Sequence, residues 1–242
     1  MLAILQSEWF KLRKSKITTI LPVGPLVALI IGISIDLQME DGLTKWFFAI
    51  AFMNFTYALL FLPLITGVLA GSICRYEHQA GGWKQLLALP LSRGKIFIAK
   101  YVLLILLVLV IQVLYLAAIY TVGTVRGFTA PFPLEIIWKS ILGGWIATFP
   151  LIALQLWLSV AFKSFAAPFA INVIFTLPTI LAINSEKIAP YYPWAQPFSM
   201  MYIGGDIDDI FFIPWEQLLT VVGGSFLLFF IGGYIYFQRK AV

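Results

Sequence analysis

Groups able to make or break a covalent bond are scarce in this chain. It holds one histidine, His78, and one cysteine, Cys74, so no His/Cys zinc cluster can be assembled and no internal disulfide can form. Ser92-Arg93-Gly94-Lys95-Ile96 contains a Gly-Lys pair. Leu89 stands where a phosphate-cradling P-loop needs its first glycine, though, and no Ser or Thr follows the lysine. No Gly-x-Ser-x-Gly nucleophile elbow occurs. Asp206, Asp208 and Asp209 are close enough to attract a cationic peptide or calcium. They lack the further ligands and the position-twelve glutamate of an EF-hand, so a solvated acidic loop is the expected reading. No catalytic residue, metal or cofactor is predicted on this chain.

What remains is a body built for lipid. The 242 residues are 61% hydrophobic and only 11% charged, with a mean hydropathy of +0.95. A soluble domain is roughly 45–50% apolar and about 25% charged. A water-soluble fold of this length has too little interior to hide so much apolar surface, whereas a bilayer covers it from outside. Each crossing takes about 20 mostly apolar residues. The pattern predicts an all-α membrane protein with six transmembrane helices, at about 17–35, 46–73, 96–124, 134–162, 165–183 and 214–237. One six-span membrane domain fills 17–242, after an amphipathic segment at 1–16. Its longest loops are 74–95 on one side and 184–213 on the other. The first span contains Pro22, Gly24 and Pro25, and a kink is expected at Pro63; neighbouring helices can satisfy the backbone groups such breakers free. No cleavable signal is evident, because the apolar run after Lys16 is longer than a typical signal core and lacks a small-residue cleavage site.

Cytoplasmic loops carry the Lys/Arg excess. With both ends inside, twelve of the sixteen basic residues fall on the cytoplasmic side, Lys100 counted among them, and nine of the eleven acids fall outside. That distribution explains the net charge of +5 without nucleic acid. No Asp, Glu, Lys or Arg is expected near the middle of a span, where insertion costs at least about 2.5–3.5 kcal/mol and usually marks an ion path. Asn54, Gln112, Gln155 and Asn172 are the polar exceptions; interhelical hydrogen bonding is the simpler use for them, substrate contact by Asn54, Gln155 and Asn172 the other. Gly67 and Gly71 form a Gly-x-x-x-Gly that lets backbones approach closely, within the subunit or between two subunits. Tyr191, Tyr192, Trp194 and Trp215 suit an aromatic interface belt, with a short interfacial or re-entrant helix nearby.

Leu2, Leu5, Trp9 and Leu12 recur at helical spacing ahead of Lys11, Arg13, Lys14 and Lys16, which predicts a helix lying in the membrane interface. In the loop at 74–95, Gly81-Gly82 breaks the chain. Trp83, Leu86, Leu87 and Pro90 then follow an i, i+3, i+4, i+7 ridge, and Ser92 is placed to cap the next helix. Such a short amphipathic helix either docks in a groove of a soluble partner or lies on the bilayer; the residues alone do not choose.

The order Glu77, Gly81, Trp83, Leu86-Leu87, Pro90, Ser92-Arg93, between the second and third of six spans, resembles type-2 ABC exporter permeases. Glu8-Trp9-Phe10-Lys11-Leu12 is similar to that family's N-terminal elbow helix. Trp83-Lys84, where many members have Gly-Thr, and Tyr192-Pro193-Trp194 resemble most the lantibiotic-immunity and bacitracin-resistance permeases; the additional Gly82 departs from the broader pattern. The resemblance implies that the loop is a coupling helix docking on a separate ABC ATPase, which holds the ATP and magnesium. It further implies a second permease subunit, identical or paralogous, a cell-membrane location, and export of a peptide or amphipathic antimicrobial substrate. An ion- or proton-coupled carrier would need an intramembrane ionisable residue. A non-transport sensor or assembly protein is the remaining alternative.

Overall fold

The computed structural model describes residues 1–15, 17–36, 43–79, 82–88, 90–202 and 214–240, apart from the side chains of Leu43 and Leu87. Lys16, Glu40, Asp41, Gly81, Asp206, Asp208 and Asp209 lie outside the described residues. Within them, every regular element is helical. In chain order these are α1 (Leu2–Lys14), a 3-10 turn (Ile17–Ile20), α2 (Val23–Ser34), α3 (Leu43–Thr56), a π turn (Tyr57–Phe61) and α4 (Leu62–His78). There follow α5 (Gly82–Ala88), α6 (Arg93–Val125), α7 (Leu134–Ala161), α8 (Ala166–Thr176), α9 (Thr179–Ala182), a 3-10 turn (Ala189–Tyr191), α10 (Gln196–Met201) and α11 (Trp215–Arg239).

Five helical stretches are long and apolar enough to cross a membrane: Ile17–Ser34, Thr44–His78, Arg93–Val125, Leu134–Ala161 and Trp215–Arg239. Where a further span is expected at 165–183, the structure has a shorter apolar segment, Ala166–Ala182, divided into α8 and α9. Pro178 has no N–H to donate to the carbonyl four residues earlier, so the ladder is interrupted there. Pro63 acts differently. It sits at the start of α4, and the π turn before it absorbs the misfit, with the Leu62 N–H reaching back to Tyr57 O.

The longest α-helix is α6, whose 33 residues extend about 50 Å at ~1.5 Å per residue, beyond a hydrocarbon core of about 30 Å. Its first turns therefore reach past the apolar region. Ser92 caps it, accepting from the Lys95 N–H at 3.4 Å. Helix α7 packs on α4, α6, α10 and α11, α2 packs on α6, and α8 on α4. On the outside, α2 exposes Leu26 and Ile30, and α11 exposes Leu227, Leu228 and Ile231. Lipid accepts such surfaces and water does not.

Helix α1 turns Ile4, Glu8 and Leu12 toward the protein, with Leu5 half-buried against the core, while Leu2, Trp9 and Phe10 are exposed. The inward face contains a charge because a charged partner waits for it in α6. One expectation, that of the aromatic belt, is corrected here. Trp194 is not part of it: it is buried, stacks on Phe175 with ring centroids 4.9 Å apart, and donates its indole N–H to Asn172 Oδ1 at 2.8 Å. Tyr191 and Trp215 do remain exposed. Close by, α10 is inserted among the long helices, its Met201 carbonyl accepting from Asn54 Nδ2 and Ser140 Oγ, each at 2.8 Å.

Candidate functional site

Lys100, two turns into α6, is counted from sequence among the loop cations. The structure instead places it inside the protein, 1% exposed. Its ammonium has three protons to donate, and all three are used: Glu8 Oε2 of α1 at 2.6 Å, Glu77 Oε1 of α4 at 3.0 Å and Ile73 O at 2.8 Å. Lys11 closes the ring, reaching Glu8 Oε1 and Glu77 Oε1 at 2.7 Å each. Two carboxylates and two ammonium groups balance in charge. This matters because burying an unpaired ion costs several kcal/mol. Glu77 Oε2 is the one oxygen of the cluster without a partner. Thus the glutamate and lysine of the N-terminal Glu-aromatic-Lys stretch, and the glutamate preceding the loop, meet at a single residue that neither pattern includes. A lysine inside a long apolar helix, which must find a partner, is the signal that marks it.

Helix α5 is fastened beside this cluster. Gly82 sits so close to the end of α4 that a Cβ there would lie 2.7 Å from Tyr76 O and 2.9 Å from Glu77 Cα. The glycine that departs from the family pattern is thus what this turn requires. Trp83 is 6% exposed. Its indole N–H donates to His78 Nδ1 at 3.2 Å, its ring lies 5.2 Å from that of Phe237 on α11, and the ammonium groups of Lys100 and Lys240 lie 5.8 and 6.0 Å from its centroid. His78, accepting at Nδ1, in turn donates from Nε2 to Ser159 O at 2.7 Å. Arg93 ties the start of α6 to the end of α11 by donating to Gln238 O at 3.1 Å and Lys240 O at 2.7 Å. Burial pushes the Lys240 ammonium below the ordinary lysine value, with the charge of Lys163 acting in the same direction.

The ridge predicted for docking is therefore divided. Trp83 and Glu77 face the protein's own helices, Leu86 is half-buried against them, and Pro90 is exposed; Gly81 and the Leu87 side chain lie outside the described residues. The side turned outward carries Lys84, Gln85 and Ala88. Between it and α1 runs a groove of about 540 Å³, lined by Ser7, Lys11, Tyr76, Gln79, Gln85 and Leu86 among others.

The polar residues within the spans pair with one another. Tyr115 donates to Asn54 Oδ1 at 2.8 Å, Tyr57 to Gln112 Oε1 at 3.0 Å, and the two tyrosine rings stack 3.8 Å apart. Gln155 donates to Asn172 Oδ1 at 2.9 Å, and Asn172 Nδ2 donates to Pro63 O at 2.9 Å. Asn54, Gln155 and Asn172 are all at most 1% exposed, a placement that suits interhelical bonding. Gly67 and Gly71 receive α8: a Cβ at Gly67 would meet Asn172 Nδ2 at 2.1 Å, and one at Gly71 the Phe165 ring at 2.8 Å.

Searches among curated proteins and among solved structures find no match. A family model described as ABC-2 family transporter protein matches residues 4–179, a stretch that contains all four members of the charge cluster, α5 and its anchors up to Ser159. With several membrane-length apolar helices and that match over most of its length, the chain belongs to the ABC-2 transporter family and is a multi-pass membrane permease of an ABC transporter.

Proposed function

We propose that this chain is the permease subunit of an ATP-driven exporter that removes an antimicrobial peptide of lantibiotic or bacitracin type from the cell membrane. It works beside a second permease subunit, and the ATPase is a separate chain. The observation that carries the reading is the mounting of α5. It is held at Gly82 and Trp83 against α4 and α11, next to an ion cluster joining α1, α4 and α6. Force applied to its outward face reaches four helices at once. The groove between α1 and α5 supplies the concave surface in which part of the ATPase seats, and packed helices transmit displacement because close-packed interiors are nearly incompressible. Both termini are cytoplasmic in this reading. Ala166–Ala182 makes the sixth crossing, its 17 residues being at the lower limit for spanning the hydrocarbon.

The test is co-expression with an ABC ATPase encoded beside the gene. Retention of the ATPase by the tagged chain in mild detergent, and ATP-dependent survival of cells exposed to the peptide, are the expected results. Gln85→Glu with Leu86→Asp, placed in the groove, abolishes both while the permease still elutes as a folded species. Full co-purification by that variant overturns this docking site. Peptide sensitivity unchanged by deleting the gene overturns the substrate class.

A further inference from the structure

A second site lies on the far side of His78 from α5. The ends of α4 and α7 and the start of α8 enclose a cleft of about 390 Å³ whose lining includes Arg75, His78, Ser159, Lys163, Ser164 and Phe165. Its charge is one-sided: Arg75 and Lys163 are both exposed, and among the described residues no carboxylate lines the cleft or pairs with either. The first turn of α8 closes one side of it and offers the cleft no free N–H: Pro168 carries none, and the Phe169 N–H bonds to Phe165 O at 3.4 Å. The Ala166 N–H donates to Ser164 Oγ at 3.1 Å.

Three of the four competing carbonyls at the end of α7 are already occupied. The last carbonyls of α7 would repel an anion, but Leu158 O accepts from the Phe162 N–H, Ser159 O from His78 Nε2, and Val160 O from Lys240 Nζ. One donor is left over. Ser159 is 2% exposed, and its hydroxyl has no hydrogen-bond partner. A buried hydroxyl without a partner costs about 1–3 kcal/mol, and a ligand oxygen in the cleft removes that cost.

We infer that this cleft binds a phosphate group, held by Arg75, Lys163 and the Ser159 hydroxyl. The apolar wall formed by Phe165 and Pro168 sits where a phospholipid's glycerol and first acyl carbons would lie. A lipid headgroup and a free phosphate offer the same recognised chemistry. Because His78 bridges Ser159 and Trp83, an occupant on the Ser159 hydroxyl is linked to α5 through two further hydrogen bonds. The inference does not depend on the docking groove or on the exported substrate.

The full chain is purified in detergent and titrated with phosphatidylglycerol, phosphatidylcholine and, separately, inorganic phosphate, with thermal stability and native mass spectrometry as readouts. Phosphatidylglycerol is expected to bind at least about tenfold more tightly to the wild type than to Arg75→Ala/Lys163→Ala, the size expected from loss of charge-assisted hydrogen bonds. Ser159→Ala is expected to weaken binding several-fold. Arg13→Ala/Lys14→Ala, which removes two exposed cations elsewhere, leaves binding as it was. Stabilisation by phosphatidylglycerol but not by inorganic phosphate assigns a lipid headgroup, and stabilisation by inorganic phosphate alone assigns a soluble source. Equal binding by wild type and Arg75→Ala/Lys163→Ala overturns the site, and so does an equal loss in Arg13→Ala/Lys14→Ala, which would reduce it to net charge. Should the double variant elute aggregated, Lys163→Gln alone carries the same comparison.

Discussion

The Lys100 ammonium lies 2.6 Å from Glu8 Oε2 across 92 residues of sequence, and both side chains are almost fully buried, 1% and 2% exposed. The N-terminal helix is thereby fixed to α6 at the same point where Glu77 fixes the end of α4. Three expectations follow from this arrangement and from the mounting of α5, and a fourth from the packing of Gly67 against Asn172.

Lys100→Met strands two carboxylates with Lys11 alone. Breaking a buried ion cluster by removing one partner costs about 3–5 kcal/mol, so the variant is expected to melt well below wild type in detergent. Adding Glu8→Gln to it removes the excess negative charge and recovers part of the loss. An unchanged melting temperature in Lys100→Met would falsify the claim that this cluster holds α1 in place.

Gly82→Ala introduces a methyl group within 2.7 Å of the Tyr76 carbonyl and 2.9 Å of Glu77 Cα, and backbone cannot step aside as a side chain can. Helix α5 is expected to be displaced while the long helices stay assembled. A cysteine cross-link between α5 and α11 should weaken several-fold at nearly constant thermal stability. Wild-type cross-linking would show that the turn has slack.

Trp83 and Lys84 are adjacent but differ in burial, one packed inside and one exposed. Trp83→Ala empties a packed site, at about 3–5 kcal/mol, and lowers stability as well as ATPase retention. Trp83→Phe keeps most of the packing and loses mainly the hydrogen bond to His78, about 1 kcal/mol. Lys84→Glu is expected to change ATPase retention alone. Thermal melting and pull-down of the three variants together separate the anchor from the contact surface.

Gly67 meets Asn172 of the same chain. Gly67→Leu forces α8 away from α4 and is expected to destabilise by about 1–3 kcal/mol or more, as overpacked cores do. The oligomeric state measured by light scattering is expected not to move. A variant that is as stable as wild type but no longer self-associates would place this glycine pair between subunits.

Much of the architecture was legible beforehand. The long helices at Arg93–Val125 and Leu134–Ala161 follow from apolar runs that have no other way to satisfy their backbone in lipid, and Ser92 and Pro133 sit just before their starts as a cap and a helix-compatible residue do. Gly82 was legible as a break but not as a necessity, because the atoms crowding it come from the turn it makes. Lys100 reads from sequence as a cytoplasmic-side cation but its partners do not, since a basic residue near a span's end looks the same whether it faces headgroups or two carboxylates from distant segments.

Composition and periodicity by themselves determined that this is a multi-pass helical membrane protein, since burial in lipid depends only on which residues are present and at what period. Which face of each helix turns inward was decided by the tertiary structure. Glu8, Glu77, Lys11 and Lys100 become one neutral cluster, and Trp83 an anchor instead of a ridge, only when α1, α4, α6 and α11 converge. Long-range pairing of charges and rings is a property of that convergence, and no local spacing encodes it.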